Sequence, residues 1–476
     1  MLEGLEISEV KLSKAISITG DCRFDSDYYQ KKYINNENLL GNKKTVSLSI
    51  LCNSIRKGIF DLSPDNYKPA GIPLIRTSEI KDPTINFNST VFIDSKVHDS
   101  NKVTELGSWD LVFTKIGAYI GDVAILPTTY TIYNFSQNVA GASIKEKTIS
   151  PYLLFFFLSS VGRNQILRSL MLSGQGKLEL ADIRNYKIPV ISEQLKNELA
   201  RIYREIEEKN QASTNKYMEA ELFLLLSLGY DKWLIEDNLY NAKKLSNTLE
   251  ASGRLDAEYY QQKYDSLFSF LRSAVTKRLG DVTYIQKSIE PGSDLYETEG
   301  IPFVRVADIT KFGITEPSVY LNPDLFMDVI HPKKDTILLT KDGSVGIAYK
   351  VEKDEKYITS GAILHLYVNN DSVLPDYLAL VINSKVVQMQ AERDAGGSII
   401  QHWKPSEISN VIIPILPIEE QLEISTKVQE SFKLRHESKQ LVEIAKQTVE
   451  IAISENEEKA IKYIKENGES LLGRQI

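Results

Sequence analysis

Two stretches of the chain carry a helical stripe. Leu195, Leu199, Ile202 and Ile206 recur at spacings of four, three and four with charged residues between them, and no proline or glycine interrupts the segment from Glu193 before Gly229. Apolar residues so spaced share one face, which predicts a long amphipathic helix from Glu193 to about Leu226. Near the C-terminus Ile424, Val428, Ser431, Arg435, Ser438, Val442, Ala445, Val449 and Ala452 step alternately by four and three. Both stripes are heptad seams diluted by polar residues, and two such helices can bury them on each other. Val112 to Thr114 and Ile337 to Thr340 are short strand-like runs ending at glycine turns, Gly117 to Gly121 and Gly343 to Gly346. Tyr152 to Leu158 and Tyr377 to Ile382 follow Pro151 and Pro375 and read as buried helices with proline near the first turn. Asp231 to Ser252 reads as a connector packed through Trp233, Leu234 and Leu239.

The chain repeats itself. Arg23-Phe24-Asp25-Ser26-Asp27-Tyr28-Tyr29-Gln30-Lys31-Lys32-Tyr33 returns as Arg254-Leu255-Asp256-Ala257-Glu258-Tyr259-Tyr260-Gln261-Gln262-Lys263-Tyr264, identical at seven of eleven positions. Gly71-Ile72-Pro73-Leu74-Ile75-Arg76 matches Gly300-Ile301-Pro302-Phe303-Val304-Arg305, Thr114-Lys115-Ile116-Gly117 matches Thr340-Lys341-Asp342-Gly343, and Ile188-Pro189 matches Ile413-Pro414. The offset drifts from 229 through 226 to 225, as loop insertions between fixed elements produce. A unit this long is a whole domain plus helix, since solenoid repeats run about 20 to 50 residues. The predicted division is a first domain over 1–191, a long helix over 192–229, a connector over 230–250, a second domain over 251–416, a C-terminal long helix over 417–466 and a tail over 467–476.

These motifs, in this order and twice over, together with Glu193-Gln194-Leu195 and Glu420-Gln421-Leu422 after each isoleucine-proline step, resemble the specificity subunit of type I restriction-modification systems. The resemblance implies duplicated α/β (mixed α+β) target-recognition domains separated by two long antiparallel coiled-coil helices, with internal pseudo-twofold symmetry. It implies that each copy reads one half of a split site in double-stranded DNA. It further implies partner modification subunits that bind S-adenosylmethionine and methylate adenine, two per chain, and separate restriction subunits that cleave.

At 476 residues the chain holds two to four domains. Cys22 and Cys52 lack metal-type spacing, and no run of about 18 apolar residues is present, so a cytoplasmic protein with reduced thiols is expected. The net charge of −8 opposes a general nucleic-acid binder but leaves room for local basic surfaces, with the acidic residues on the helices.

Catalytic motifs are missing. Neither an (Asp/Asn)-Pro-Pro-(Tyr/Phe) pocket for a flipped base, nor a glycine-rich cofactor loop, nor a phosphate-binding loop occurs. Pro64-Asp65 with Glu79-Ile80-Lys81 has a nuclease-like spacing of a kind that arises by chance, and the second copy lacks the carboxylate-x-lysine arrangement. No catalytic residue, cofactor or metal is expected on this chain. Readers of base edges are sought among side chains that make paired hydrogen bonds, such as Arg or Lys to guanine and Asn or Gln to adenine. Lys115, Gln137, Asn138, Gln175 and Lys177 are candidates in the first copy, and Lys341, Thr359, Ser360, Ser398, Gln401 and His402 in the second. A solvated loop residue is the competing reading for each. Glycines at 174 and 396 would let backbone amides approach phosphates. For Arg76 and Arg305 a buried ion pair and DNA contact compete equally. Tyr28, Tyr29, Tyr259 and Tyr260 read as core or partner-docking residues, with Asp25 and Asp256 as helix caps. Polar seam residues Lys209, Ser213, Arg435 and Ser438 offer partner subunits a place to dock. Two readings compete with DNA recognition by a stand-alone specificity subunit: a coiled-coil scaffold with no DNA role, and the detached recognition part of a type II methyltransferase-nuclease.

Overall fold

The computed structural model describes residues 8–13, 15, 25–81, 83–117, 119–170, 176–233, 240–246, 248, 253–396 and 401–473. The chain divides into two compact units. The first takes the residues up to Asn210 together with those from His436 onward, and the second runs from Gln211 to Arg435. Both long helices, Glu193–Ser227 and Ile418–Ser454, are therefore shared between units.

In the first unit an antiparallel sheet orders Cys52–Lys57, Val139–Ile144, Leu111–Thr114 and Val123–Ile125. A second sheet orders Val91–Ile93, Ile72–Ile75, Ile132–Phe135 and Leu106–Gly107, with its middle pair parallel. The second unit repeats the plan: Thr283–Lys287, Ile363–Val368, Ile337–Thr340 and Ala348–Lys350 in one antiparallel sheet, and Tyr320–Leu321, Ile301–Val304 and Ile358–Thr359 in a mixed one. Leu111–Thr114 and Ile337–Thr340 are buried at every position, which is why their sequence shows unbroken apolar runs instead of alternation.

Each isoleucine-proline step is a short strand. Lys187–Pro189 pairs with Thr45–Ser47, and Ile412–Pro414 with Thr276–Arg278. The buried helices Ser150–Leu158 and Pro375–Asn383, each with proline in its first turn, hold these strands by equivalent bonds. Tyr152 Oη donates to the Pro189 carbonyl at 2.7 Å, and Tyr377 Oη to the Pro414 carbonyl at 2.9 Å. The tyrosines thus fix where each long helix begins.

The seam forms as its spacing predicts. Leu195, Leu199, Ile202 and Ile206 share one core with Leu441, Val442, Ala445 and Val449, and Tyr217, Ala220 and Leu224 share another with Ile424 and Val428. Within the second unit Ser213 meets Ser431 at 3.1 Å, Lys216 meets Glu430 at 2.9 Å and Glu219 meets Lys427 at 3.9 Å. Numbers rise on one helix as they fall on the other, so the pairing is antiparallel. Lys209 bridges Glu437 at 2.7 Å and Glu205 at 3.4 Å in the first unit. The polar seam residues Lys209 and Ser213 are thus consumed by the helix pair and are not open to a partner, a correction to the sequence reading; Ser438 is buried as well.

The C-terminal helix does not run unbroken to 466. It stops at Ser454, and Asn456, in extended backbone, accepts from Lys459 N–H at 2.9 Å to cap a new helix, Glu457–Gly468. Its Ala460 and Ile464 join the first core. In the connector, Trp233 stacks on Phe270 with centroids 5.1 Å apart and donates to Ser266 Oγ at 2.8 Å; Leu234 and Leu239 lie outside the described residues. Among those residues no helix is long and apolar enough to cross a membrane.

Replacing Tyr152 or Tyr377 by Phe leaves a buried carbonyl without its donor, so each variant is expected to lose about 1 to 3 kcal/mol. A fall in the urea unfolding midpoint measures it.

Candidate nucleic-acid interface

The strand Leu111–Thr114 delivers Lys115 into a loop that is pinned on both sides. Its N–H donates to the Asn138 carbonyl at 2.9 Å, and its carbonyl accepts from Leu178 N–H at 3.0 Å. Those bonds gather Lys115, Asn138 and Lys177, with half-buried Gln137 beside them. Gly121 closes the loop by donating to the Thr114 carbonyl at 2.9 Å with φ +87°, and a Cβ there would sit 2.6 Å from Ile166 Cγ2. Only glycine satisfies both demands.

Lys115 is 6% exposed, and its ammonium has no hydrogen bond or ion pair among the described residues. Burial pulls its pKa below the ordinary lysine value; Lys177 and Lys57 push the same way, and Glu179 opposes them. Lys177 is exposed and pairs with Glu179 at 2.7 Å.

The second copy builds the same frame with different chemistry. Lys341 N–H donates to the Ala362 carbonyl at 2.9 Å, its carbonyl accepts from Trp403 N–H at 2.8 Å, and Gly346 closes the loop on Thr340 at 2.9 Å. Here the lysine is neutralised by an ion pair with Asp342, whose other oxygen lies 2.9 Å from His402 Nδ1. Burial pushes the Asp342 carboxyl up, but the bonds from Lys341 and His402 outweigh it and hold the group below its usual range. The Gln401 carbonyl accepts from Gly343 N–H at 2.9 Å. Lys341, Gln401 and His402 therefore come together as expected.

Thr359 and Ser360 do not join them. Thr359 is fully buried, its Oγ1 2.7 Å from His365 Nε2, and Ser360 is 6% exposed. Ser136 and Ser360 make equivalent bonds to the carbonyls of Ile75 and Val304, each at 2.9 Å. The counterparts of Gln137 and Asn138 are accordingly Gly361 and Ala362, and not the candidates Thr359 and Ser360 two positions earlier. Gln175 and Ser398 lie outside the described residues.

Arg76 resolves in favour of the ion pair: it grips fully buried Glu79 at 2.8 Å and also donates to the Ser89 carbonyl at 2.7 Å. Arg305 repeats the arrangement, its N–H on Asp308 at 2.8 Å and its guanidinium on Ser318 Oγ at 3.1 Å. With Glu79 so committed and Asp65 in the Ser63-capped turn, the nuclease-like residues share no site. No group of side chains among the described residues is arranged to hold a metal ion. Tyr28 lies under the Arg168 guanidinium at 4.2 Å, and Tyr259 lies against Arg254 and Arg393 at 4.5 and 4.8 Å, packing within their own copies. Asp25 caps Tyr28 N–H at 3.1 Å, whereas Asp256 is held chiefly by Arg254.

Two cation-aromatic pairs escaped the sequence reading. Lys57 lies 4.9 Å from the ring of exposed Phe60, and Lys81 lies 3.6 Å from that of exposed Tyr119. The signal for the first was the repetition of Ile55-Arg56-Lys57-Gly58-Ile59 as Ile285-Gln286-Lys287-Ser288-Ile289.

A family model described as the type I restriction modification DNA specificity domain matches the chain twice, over residues 41–221 and 273–446. The chain belongs to that family. Its members' function is sequence-specific DNA recognition, and the two matches fall on the two copies of the repeat. No curated protein matches the chain. Among solved structures it is similar to the type I restriction-modification S subunit from M. genitalium, at 10% identity over 91% of this chain and 97% of that one, with a TM-score of 0.34. The HsdS subunit from Thermoanaerobacter tengcongensis is matched at 15% identity over 87% and 97% of the two chains, with a TM-score of 0.28.

Lys115 is charged at a cost. Below its lowered folded pKa both states carry the proton and the burial penalty is fully present; as pH rises from there toward the unfolded value the penalty is relieved and stability rises. Lys115→Met is therefore expected to raise the thermal midpoint at neutral pH while weakening DNA binding, a pairing that melting and anisotropy measurements read together. His365 follows the same sign in a lower pH window. Burial depresses its imidazole to about 4, so the unfolded chain takes up the proton first and stability falls as pH drops from about 6.5 toward 4. His365→Gln is expected to flatten the urea-midpoint profile across that window.

Proposed function

We propose that each copy reads one half of a bipartite site in double-stranded DNA, the first through Lys115, Gln137, Asn138, Gln175 and Lys177, the second through Lys341, Ser398, Gln401 and His402. The observation that carries the reading is Lys115: a lysine whose side chain is largely buried and whose ammonium has no acceptor among the described residues, in the field of two further lysines only partly offset by Glu179, is costly in the free protein and is relieved by an electronegative base edge or phosphate. In the second copy half-buried Lys341 and the half-buried Asp342 carboxylate stand with exposed His402. A carboxylate accepts from the cytosine amino group where a lysine prefers guanine, so the two half-sites differ in sequence.

The chain directs catalysis and performs none. S-adenosylmethionine binds on modification subunits, two for each chain, and restriction subunits complete the assembly. The reading places a docking face on the first long helix, where Met218, Leu222 and Leu226 stand exposed at intervals of four. An apolar row of that kind suits a partner helix.

Alanine at Asn138 and Lys177 is expected to relax one half of the recognised sequence by about 1 to 3 kcal/mol for each paired hydrogen bond removed, and alanine at Gln401 and His402 to relax the other. Methylome sequencing of cells that carry each variant with its modification subunit reads the halves separately. Equal loss in both halves from either variant would overturn the assignment of one reader to each copy.

A further inference from the structure

In the second unit the hairpin Ile309–Thr310 with Gly313–Ile314 is closed by Gly313 at φ +134° and by Thr310 Oγ1 donating to the Gly313 carbonyl at 2.9 Å. Its tip brings Lys311 and Phe312 against both long helices. Phe312 meets Tyr217 of the first helix edge to face, centroids 4.9 Å apart, and the guanidinium of Arg435 from the second helix lies 3.9 Å over the Phe312 ring. The Lys311 ammonium is 4.5 Å from the Tyr217 ring and 5.3 Å from that of Phe312.

Two cations thus share one aromatic platform, and neither has an ion pair or hydrogen bond among the described residues; Arg435 Nε is enclosed without an acceptor. Burial lowers the pKa of both. Glu221 offsets this in part for Lys311, and the charge of Arg435 adds to it. The cation-π contacts return about 0.5 to 2 kcal/mol each, but they leave like charges side by side and poorly solvated, an arrangement that an anion with several acceptor oxygens relieves. The corresponding hairpin of the first unit, Ile80–Lys81 with Thr84–Ile85, also sets a lysine on an aromatic ring, Lys81 on Tyr119 at 3.6 Å, although the residues that build the platform differ.

We propose that Lys311 and Arg435, on the platform of Phe312 and Tyr217, form a phosphate site that takes a backbone phosphodiester of bound DNA, outside the loops that read bases. The inference rests on the DNA-reading assignment above. A phosphate contact carries no sequence information, so its signature is salt dependence on any duplex. The test uses the full chain with its modification subunit and measures anisotropy on a duplex bearing the recognised site and on a scrambled one, between about 50 and 200 mM salt. Lys311→Gln with Arg435→Met, the latter keeping the packing over Phe312, is expected to reduce the slope of log K against log salt by roughly 0.9 for each phosphate no longer neutralised and to weaken both duplexes by the same factor. Lys311→Gln alone, at a hairpin tip, guards against misfolding of the double variant and is expected to move the same slope by less. Unchanged slope and affinity in the single and double variants would overturn the proposal. So would selective thermal stabilisation of the wild type by inorganic phosphate at matched ionic strength without any change in DNA slope, since the site would then serve free phosphate. A deficit confined to binding of an acidic protein partner would overturn it equally. Failure of half-site reading shows instead as equal affinity of the wild type for the two duplexes, and the slope comparison stands regardless.

Discussion

The structure depends on one constraint: two apolar stripes on the long helices that are hidden from water against each other and against the cores of the globular parts. Each compact unit contains half of each long helix, and the core of the first unit counts Leu195 to Ile206 and Leu441 to Ile453 among its members. Neither copy of the repeat completes its core from its own contiguous sequence. The seam also sets its own register through polar contacts, Ser213 with Ser431 and Lys209 with Glu437. A buried hydroxyl pair slipped by one turn would set Ser213 against Val428 or Arg435 and lose its bond to Ser431, so these contacts favour one alignment even where they add little stability.

On that base the duplication separates scaffold from chemistry. Tyr152 and Tyr377, Gly121 and Gly346, and Arg76 and Arg305 make matching bonds in the two copies. They hold backbone, which does not care what is read. Between those fixed points the side chains part company, an unpaired Lys115 in one copy and a neutralised Lys341 with Asp342 and His402 in the other. A frame held by main-chain bonds tolerates such changes because the loop conformation is not set by the residues that vary.

What was legible in the sequence follows the same division. The stripe and extent of the helix Glu193–Ser227, the glycine turns and the repeat are legible along the sequence itself, whereas the end of the C-terminal long helix at Ser454 is not. Thr359 looks like a loop reader in the sequence, but its place is fixed by a parallel strand pair, Val304 with Thr359, that no local pattern reveals. The helix break at Asn456 was hidden for a related reason: the residues after it remain good helix formers, and only the cap on Lys459 N–H and the bond from Ser192 N–H to Glu457 at 3.1 Å redirect the chain. Lys57 and Lys81 were missed because a lysine gains meaning from the ring or charge it faces, which depends on tertiary structure.

The two long helices carry fourteen acidic and ten basic residues, which leaves −4 of the chain's −8. Much of that charge is spent within the helices or across the seam, in pairs such as Lys216 with Glu430 and Arg201 with Glu198. Exposed pairs of this sort contribute little stability, but they keep the helices from presenting a bare field of either sign. Three cations have no ion-pair partner among the described residues: Lys115, buried in a loop, and half-buried Lys311 and Arg435, which a hairpin tip brings together against the long helices. Carboxylates are abundant enough on this chain to have neutralised all three, and the second copy shows how readily that is done at Lys341. Keeping them bare lowers the stability of the free protein, and on the proposed reading an anionic ligand relieves that cost, so net acidity of the chain does not oppose local binding of a polyanion.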